Sequence, residues 1–150
     1  KNDIDQSGIQ LTEVFQKLQK LRAKSITVVM DACFSGYPKG DPINYLLAAK
    51  PASIVINKPE LLIENGMVFY SSSGDQISTW AQDKKHSVFT YYYLKGLLGE
   101  ADANQDDEIS IEEMERYVIS KVKDEAQKKQ GIEQTPQVLA KDKKRIIVKY

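Results

Sequence analysis

The chain has 150 residues, enough for one ordinary domain or most of one. Its 41% hydrophobic and 28% charged residues fit a folded chain and exclude a disordered one, while 21 basic against 21 acidic residues leave zero formal charge. That balance removes the electrostatic case for nucleic acid or an anionic membrane as partner, and a single cysteine, Cys33, excludes an internal disulfide and a cysteine-built zinc site.

The first residues, Lys1-Asn2-Asp3-Ile4-Asp5, carry neither an initiating Met nor an apolar signal segment. We expect the chain to be a piece of a longer one, in the cytoplasm. Nowhere do 18 apolar residues run together, so the sequence offers no transmembrane helix. Leu11, Val14, Phe15, Leu18 and Leu21 recur at helical spacing, with Ser7 or Thr12 available as N-cap. Ser25 to Met30 is rich in β-branched residues and apolar on both faces, which predicts a buried central strand. It ends in the small-residue turn Asp31-Ala32-Cys33-Phe34-Ser35-Gly36. Pro38, Pro42, Pro51 and Pro59 then mark a surface excursion, with a short helix around Tyr45–Ala49.

Gly66 to Ser71 predicts a second buried strand, running into the loop Ser72-Ser73-Gly74-Asp75. His86 to Leu98 predicts a helix ending near Gly99, and Asp102 to Glu113 is an acidic loop. A third helix to about Gln130 presents Ile111, Met114, Val118 and Val122 on one face, and Arg145 to Val148 is an edge-strand candidate. Alternating helices and strands indicate a layered α/β domain. Three strands are few for such a sheet, which averages about five or six, and point to a missing N-terminal part.

Cys33 sits just past a strand end, where open α/β sheets place their sites. It is either an exposed thiol beside backbone N–H groups suited to an oxyanion, or a small buried hydrophobe. Four stretches bear on the choice. Asp31 to Gly36 after its Val-rich strand resembles the nucleophile loop of the caspase-like cysteine peptidases, in particular the bacterial members and metacaspases. Tyr70-Ser71-Ser72-Ser73-Gly74-Asp75-Gln76, with Ser78, resembles their substrate-pocket loop, and Ser87 to Leu97 the helix after it. Gln134-Thr135-Pro136-Gln137 resembles the segment before the last strand.

The resemblance implies a three-layer α/β/α sandwich, here the C-terminal part of a mostly parallel sheet. It implies a cysteine endopeptidase in which Cys33 attacks a peptide carbonyl and its N–H forms half of an oxyanion hole. The family pairs this cysteine with an upstream His in a His-Gly turn. The chain's single histidine, His86, lies downstream, so the base is expected from an N-terminal segment of the same precursor. Asp31 and Asp75 match acidic positions that metacaspases use for Arg or Lys at P1, and Trp80 is followed by Ala81 where animal caspases carry Arg. On the residues alone, Asp31 could equally cap a neighbouring helix and Asp75 form a turn.

Asp102, Asn104, Asp106, the Glu108 carbonyl and Glu113 fall at the spacing of a calcium loop between two helices, an EF-hand-like arrangement, with Asp107 where Gly is usual. The plainer expectation is an acidic solvated loop. Lys84-Lys85 and Lys141 to Arg145 are expected on solvated faces, and Tyr91-Tyr92-Tyr93 in a core-facing helix. The expected function is cleavage of protein or peptide substrates after basic residues, with Ca2+ as a candidate cofactor. The alternatives are an inactive caspase-like module that responds to calcium, and a small two-helix calcium sensor.

Overall fold

The computed structural model describes residues 11–32, 63–73 and 76–150. In chain order its elements are α1 (Leu11–Gln19), β1 (Ile26–Met30), β2 (Gly66–Tyr70), β3 (Trp80–Ala81), a 3-10 turn (Gln82–Lys84), β4 (His86–Ser87), α2 (Val88–Lys95), a π turn (Gly96–Glu100), β5 (Glu108–Ser110), α3 (Ile111–Gln130), β6 (Gln137–Ala140) and β7 (Ile146–Lys149). Ser7 and the helix expected around Tyr45–Ala49 lie outside the described residues.

Among the described residues the main sheet has three strands in the order β1-β2-β6. β1 runs parallel to β2, with Ile26 opposite Gly66 and Met30 opposite Tyr70; β6 runs antiparallel to β2, with Met67 opposite Ala140. Every residue of β2 is buried, because this middle strand is covered on both of its faces. The two-residue period of a strand sorts its side chains. Val68 and Tyr70 join Ile26, Val28, Met30 and Leu139 against Phe15 of α1. Met67 and Phe69 join Val138 and Ala140 against α2 and α3. This is an α/β/α sandwich.

α3 supplies Ile111, Met114, Val118 and Val122 to that second core, all fully buried, and each such side chain is worth roughly 1.5–3 kcal/mol of burial. The helix starts in a reciprocal capping box between Ser110 and Glu113. It stops at Gly131, whose φ of 64° few other residues adopt cheaply. α2 and α3 approach closely at Gly96, where a Cβ would lie 2.6 Å from the Met114 sulfur. A side chain there would push the helices apart.

Among the described residues β1 is an end strand of the sheet, and Thr27 and Val29 on one of its faces are exposed. Two expectations are corrected. The second helix starts at Val88 instead of His86, because Ser87 is extended (φ −62°, ψ 154°) and pairs with Trp80 while its side chain caps the helix. The last strand, β7, is not in the main sheet. It pairs with β5, and the sheet's third strand is β6, directly after Gln134-Thr135-Pro136.

Candidate active site at the carboxyl ends of β1 and β2

Asp31 is the first residue past β1, two before Cys33. Ser71, the first residue past β2, ties the two strand ends together. Its N–H donates to the Met30 carbonyl at 2.9 Å, and its hydroxyl reaches the Ala32 carbonyl at 3.5 Å. The Asp31 carboxylate gathers hydroxyls from three places. Ser78 donates to Oδ1 at 2.9 Å, while Ser87 and Thr90 both donate to Oδ2. Ser87 is also the N-cap of α2, accepting from the Thr90 N–H at 3.0 Å. An anion at the start of α2 is electrostatically favoured, and charge-assisted hydrogen bonds are the stronger kind. Asp31 therefore does not cap the helix itself; it holds the residue that does. Cys33 and Asp75 lie outside the described residues.

A fully buried amide reaches the same place. Gln134 Oε1 accepts from the Thr79 N–H at 2.9 Å and the Thr79 hydroxyl at 2.7 Å. Its Nε2 donates to the Ser71 carbonyl at 2.8 Å and to Ser78 Oγ at 3.4 Å. In return Gln76 accepts from the Thr135 N–H at 2.6 Å, and its own backbone is held by Ser72 and Ser73. Two glutamines thus stitch the loop after β2 to the segment before β6. Ser87, Thr90 and the role of Gln134 are not apparent from spacing. The one available signal is a cluster of Ser, Thr and Gln at strand ends, and that is weak.

Behind the pocket loop, the β3–β4 hairpin is anchored by Lys84. This lysine is not on a solvated face as expected. Its ammonium contacts both oxygens of Glu125 on α3, at 2.7 and 2.6 Å, and lies 4.2 and 4.7 Å from the ring centres of Tyr91 and Tyr92. Burial opposes ionisation of Glu125, but hydrogen bonds from Lys84, Tyr92 and Lys129 outweigh it and hold the carboxyl at about 2. Burial and the same carboxylate push the Tyr92 phenol well above its ordinary value. Lys85 is exposed, and so is His86, on β4 opposite Ala81.

The acidic loop is organised by its own backbone. Asp102 accepts from the N–H groups of Gln105, Asp106 and Asp107, Asn104 from that of Asp106, and Asp106 from that of Glu108. Gln105 and Asp107 adopt left-handed backbone, with φ of 62° and 63°; Asp107 holds the turn where Gly is usual. Glu113 accepts from the N–H and hydroxyl of Ser110, and these bonds hold its carboxyl below the usual range despite burial. Glu108 pairs with Lys149 of β7 at 2.5 Å. Among the described residues no three His, Cys, Asp or Glu side chains converge as a metal-binding group. The Glu113 carboxylate also takes hydrogen bonds from the backbone of Ala103 and Asn104, so it already faces the loop that carries Asp102, Asn104, Asp106 and Glu108.

The family model described as the caspase domain matches residues 3–146. The chain belongs to the caspase-domain family, a family of cysteine peptidases. No curated protein and no solved structure matches it. No helix among the described residues is long and apolar enough to cross a membrane.

Proposed function

We infer that this chain is the nucleophile-bearing part of a cysteine endopeptidase that cleaves proteins after Arg or Lys. The observation that carries this reading is Asp31, a carboxylate fixed by three hydroxyls at the end of β1, two residues before Cys33, in a caspase-family chain. The Cys33 thiolate attacks the scissile carbonyl carbon, and the carbonyl π electrons move to oxygen, facing the Cys33 N–H. As the C–N bond breaks, an imidazolium donates its proton to the leaving amine. Water then adds to the thioester, gives a proton back to the imidazole, and releases the acid and the thiolate. The family's His lies upstream of the cysteine and His86 lies downstream of it on β4, so we assign the imidazole to a segment of the same precursor N-terminal to Lys1. Asp31 and Asp75 supply the negative charge that a P1 guanidinium or ammonium requires.

Fluorogenic peptides that differ only in P1 test the assignment, using the chain with and without the upstream segment. Cleavage after Arg and Lys, stoichiometric labelling of Cys33 by an Arg chloromethyl ketone, and loss of both in Cys33→Ala are expected. Labelling of Cys33 only in unfolded protein overturns the peptidase reading in favour of an inactive interaction module. Cleavage after Asp overturns the P1 assignment alone.

Calcium binding at residues 102–113 is a second, separable part of the proposal. It is supported by the donor order Asp102, Asn104, Asp106, Glu108 carbonyl and Glu113, and by the helices on both sides. Millimolar calcium is expected to raise the Tm of the native chain but not of Glu113→Gln, since a ligand that binds only the folded state stabilises it. Equal shifts in both chains would reduce the loop to a self-bonded turn.

A further inference from the structure

We propose that Gln134 is a positioning residue for the P1 pocket, acting on Asp31 through Ser78 and on the nucleophile loop through Ser71. The inference rests on Asp31 facing the P1 side chain, as proposed above.

Gln134 is 0% exposed, and a buried primary amide is costly unless its polar atoms are partnered. Here both ends are used, and the partners all belong to the site. The amide N–H groups face the Ser71 carbonyl and Ser78 Oγ, the two residues that in turn contact Ala32 and Asp31. The amide oxygen takes both donors of Thr79, so Ser78 is fixed from its own side chain and from its neighbour's backbone. The chemistry sets a direction. A Ser hydroxyl has one proton and two lone pairs. When the amide N–H occupies a lone pair of Ser78 Oγ, the proton is left to point at Asp31 Oδ1. Remove the amide and that hydroxyl can rotate away, leaving Oδ1 without its donor and the carboxylate held from one oxygen only. The orientation a bidentate guanidinium needs would be lost, although no group touching the substrate had changed.

Gln134 is followed by Thr135, pinned by Gln76, and then by β6. The pocket is therefore aligned by the strand on the far side of β2 from β1. That makes the P1 carboxylate sensitive to a residue about a hundred positions away in sequence.

Two measurements test the proposal. The first is a thermal double-mutant cycle on the 150-residue chain with Gln134→Leu, Ser78→Ala and both together. Groups in one network are non-additive, so the combined loss of Tm should fall short of the sum by a few degrees. Additive losses would overturn the relay. The second compares kcat/KM for one peptide with Arg or neutral citrulline at P1, in the polypeptide that carries activity. Gln134→Leu should lower the Arg preference about tenfold, mainly through KM, and Ser78→Ala should do the same. Gln134→Glu keeps the acceptor for Thr79 but not the donors, and should show the Leu defect. Equal losses on both peptides, with the ratio intact, would make Gln134 a packing residue and overturn the proposal. Should Gln134→Leu not fold, Ser78→Ala and Gln134→Glu carry both readings. A wild-type enzyme with no preference for Arg over citrulline would overturn the basic-P1 reading instead, leaving the thermal cycle to decide the relay.

Discussion

Two carboxylate-centred regions of this molecule are built in opposite ways. In the acidic loop the anions are satisfied from within the loop itself: Asp102 takes N–H groups of 105, 106 and 107, and Glu113 takes Ser110 together with the backbone of Ala103 and Asn104. At the strand ends, Asp31 takes its three hydroxyls from Ser78, Ser87 and Thr90, which lie 47, 56 and 59 positions away. A locally bonded loop can form and fray by itself. A carboxylate whose donors come from a loop, a cap and a helix exists only when the sheet has assembled. The candidate active site is thus a product of global folding, and the acidic loop is a nearly autonomous turn zipped to the chain's last strand.

The sharpest way to break this contrast is at Lys84, which joins the pocket hairpin to α3. Lys84→Met leaves Glu125 buried without its main counter-ion, and breaking such a pair costs roughly 3–5 kcal/mol, at the lower end here because Tyr92 and Lys129 remain. Chemical denaturation at pH 7 should show it. The carboxyl is held below its unfolded value, so its contribution is complete above pH about 4.5 and is lost as pH falls towards about 2. The gap between wild type and Lys84→Met should close over that range.

Asp31→Ala comes next. It removes the shared acceptor of the Ser78, Ser87 and Thr90 hydroxyls, at a cost of about 2 kcal/mol. Hydrogen exchange should rise together in residues 76–79 and 87–90, far from the substitution in sequence. A change confined to residues 30–32 would contradict the tertiary character of the site.

Ser110→Ala removes one half of a capping box and should cost about 1 kcal/mol. Its exchange effect should stay within the loop and the first turn of α3. Protection lost at the strand ends would mean the two regions are coupled. Smallest of all, Lys149→Gln removes an exposed partner from Glu108 and should leave the unfolding midpoint nearly unchanged, a small effect that salt abolishes in the wild type.

Local chemistry was legible. The apolar face of α3, the strands at Ile26–Met30 and Gly66–Tyr70, and the acidic loop with a left-handed Asp107 all follow from periodicity and residue type. The order of motifs marked the family that the whole-chain match establishes. Cys33 and Asp75 were named from those motifs alone and lie outside the described residues.

What sequence could not supply was partnership. Nothing in Lys84-Lys85 tells which lysine will lie beside Glu125, because that depends on α3 passing behind the hairpin. Neither the place of β1 at the end of the described strands nor the withdrawal of β7 to pair with β5 can be read from strands that differ little in composition. Gln134 is the clearest instance. As a residue type it is ordinary on a surface, and only the closure of β6 against β2 brings it to Ser71, Ser78 and Thr79. Periodicity and capping are written over a few residues, so the sequence by itself determined the elements. Pairing, burial and the surroundings of Asp31 are set by contacts tens of residues apart, and only the tertiary structure decided them.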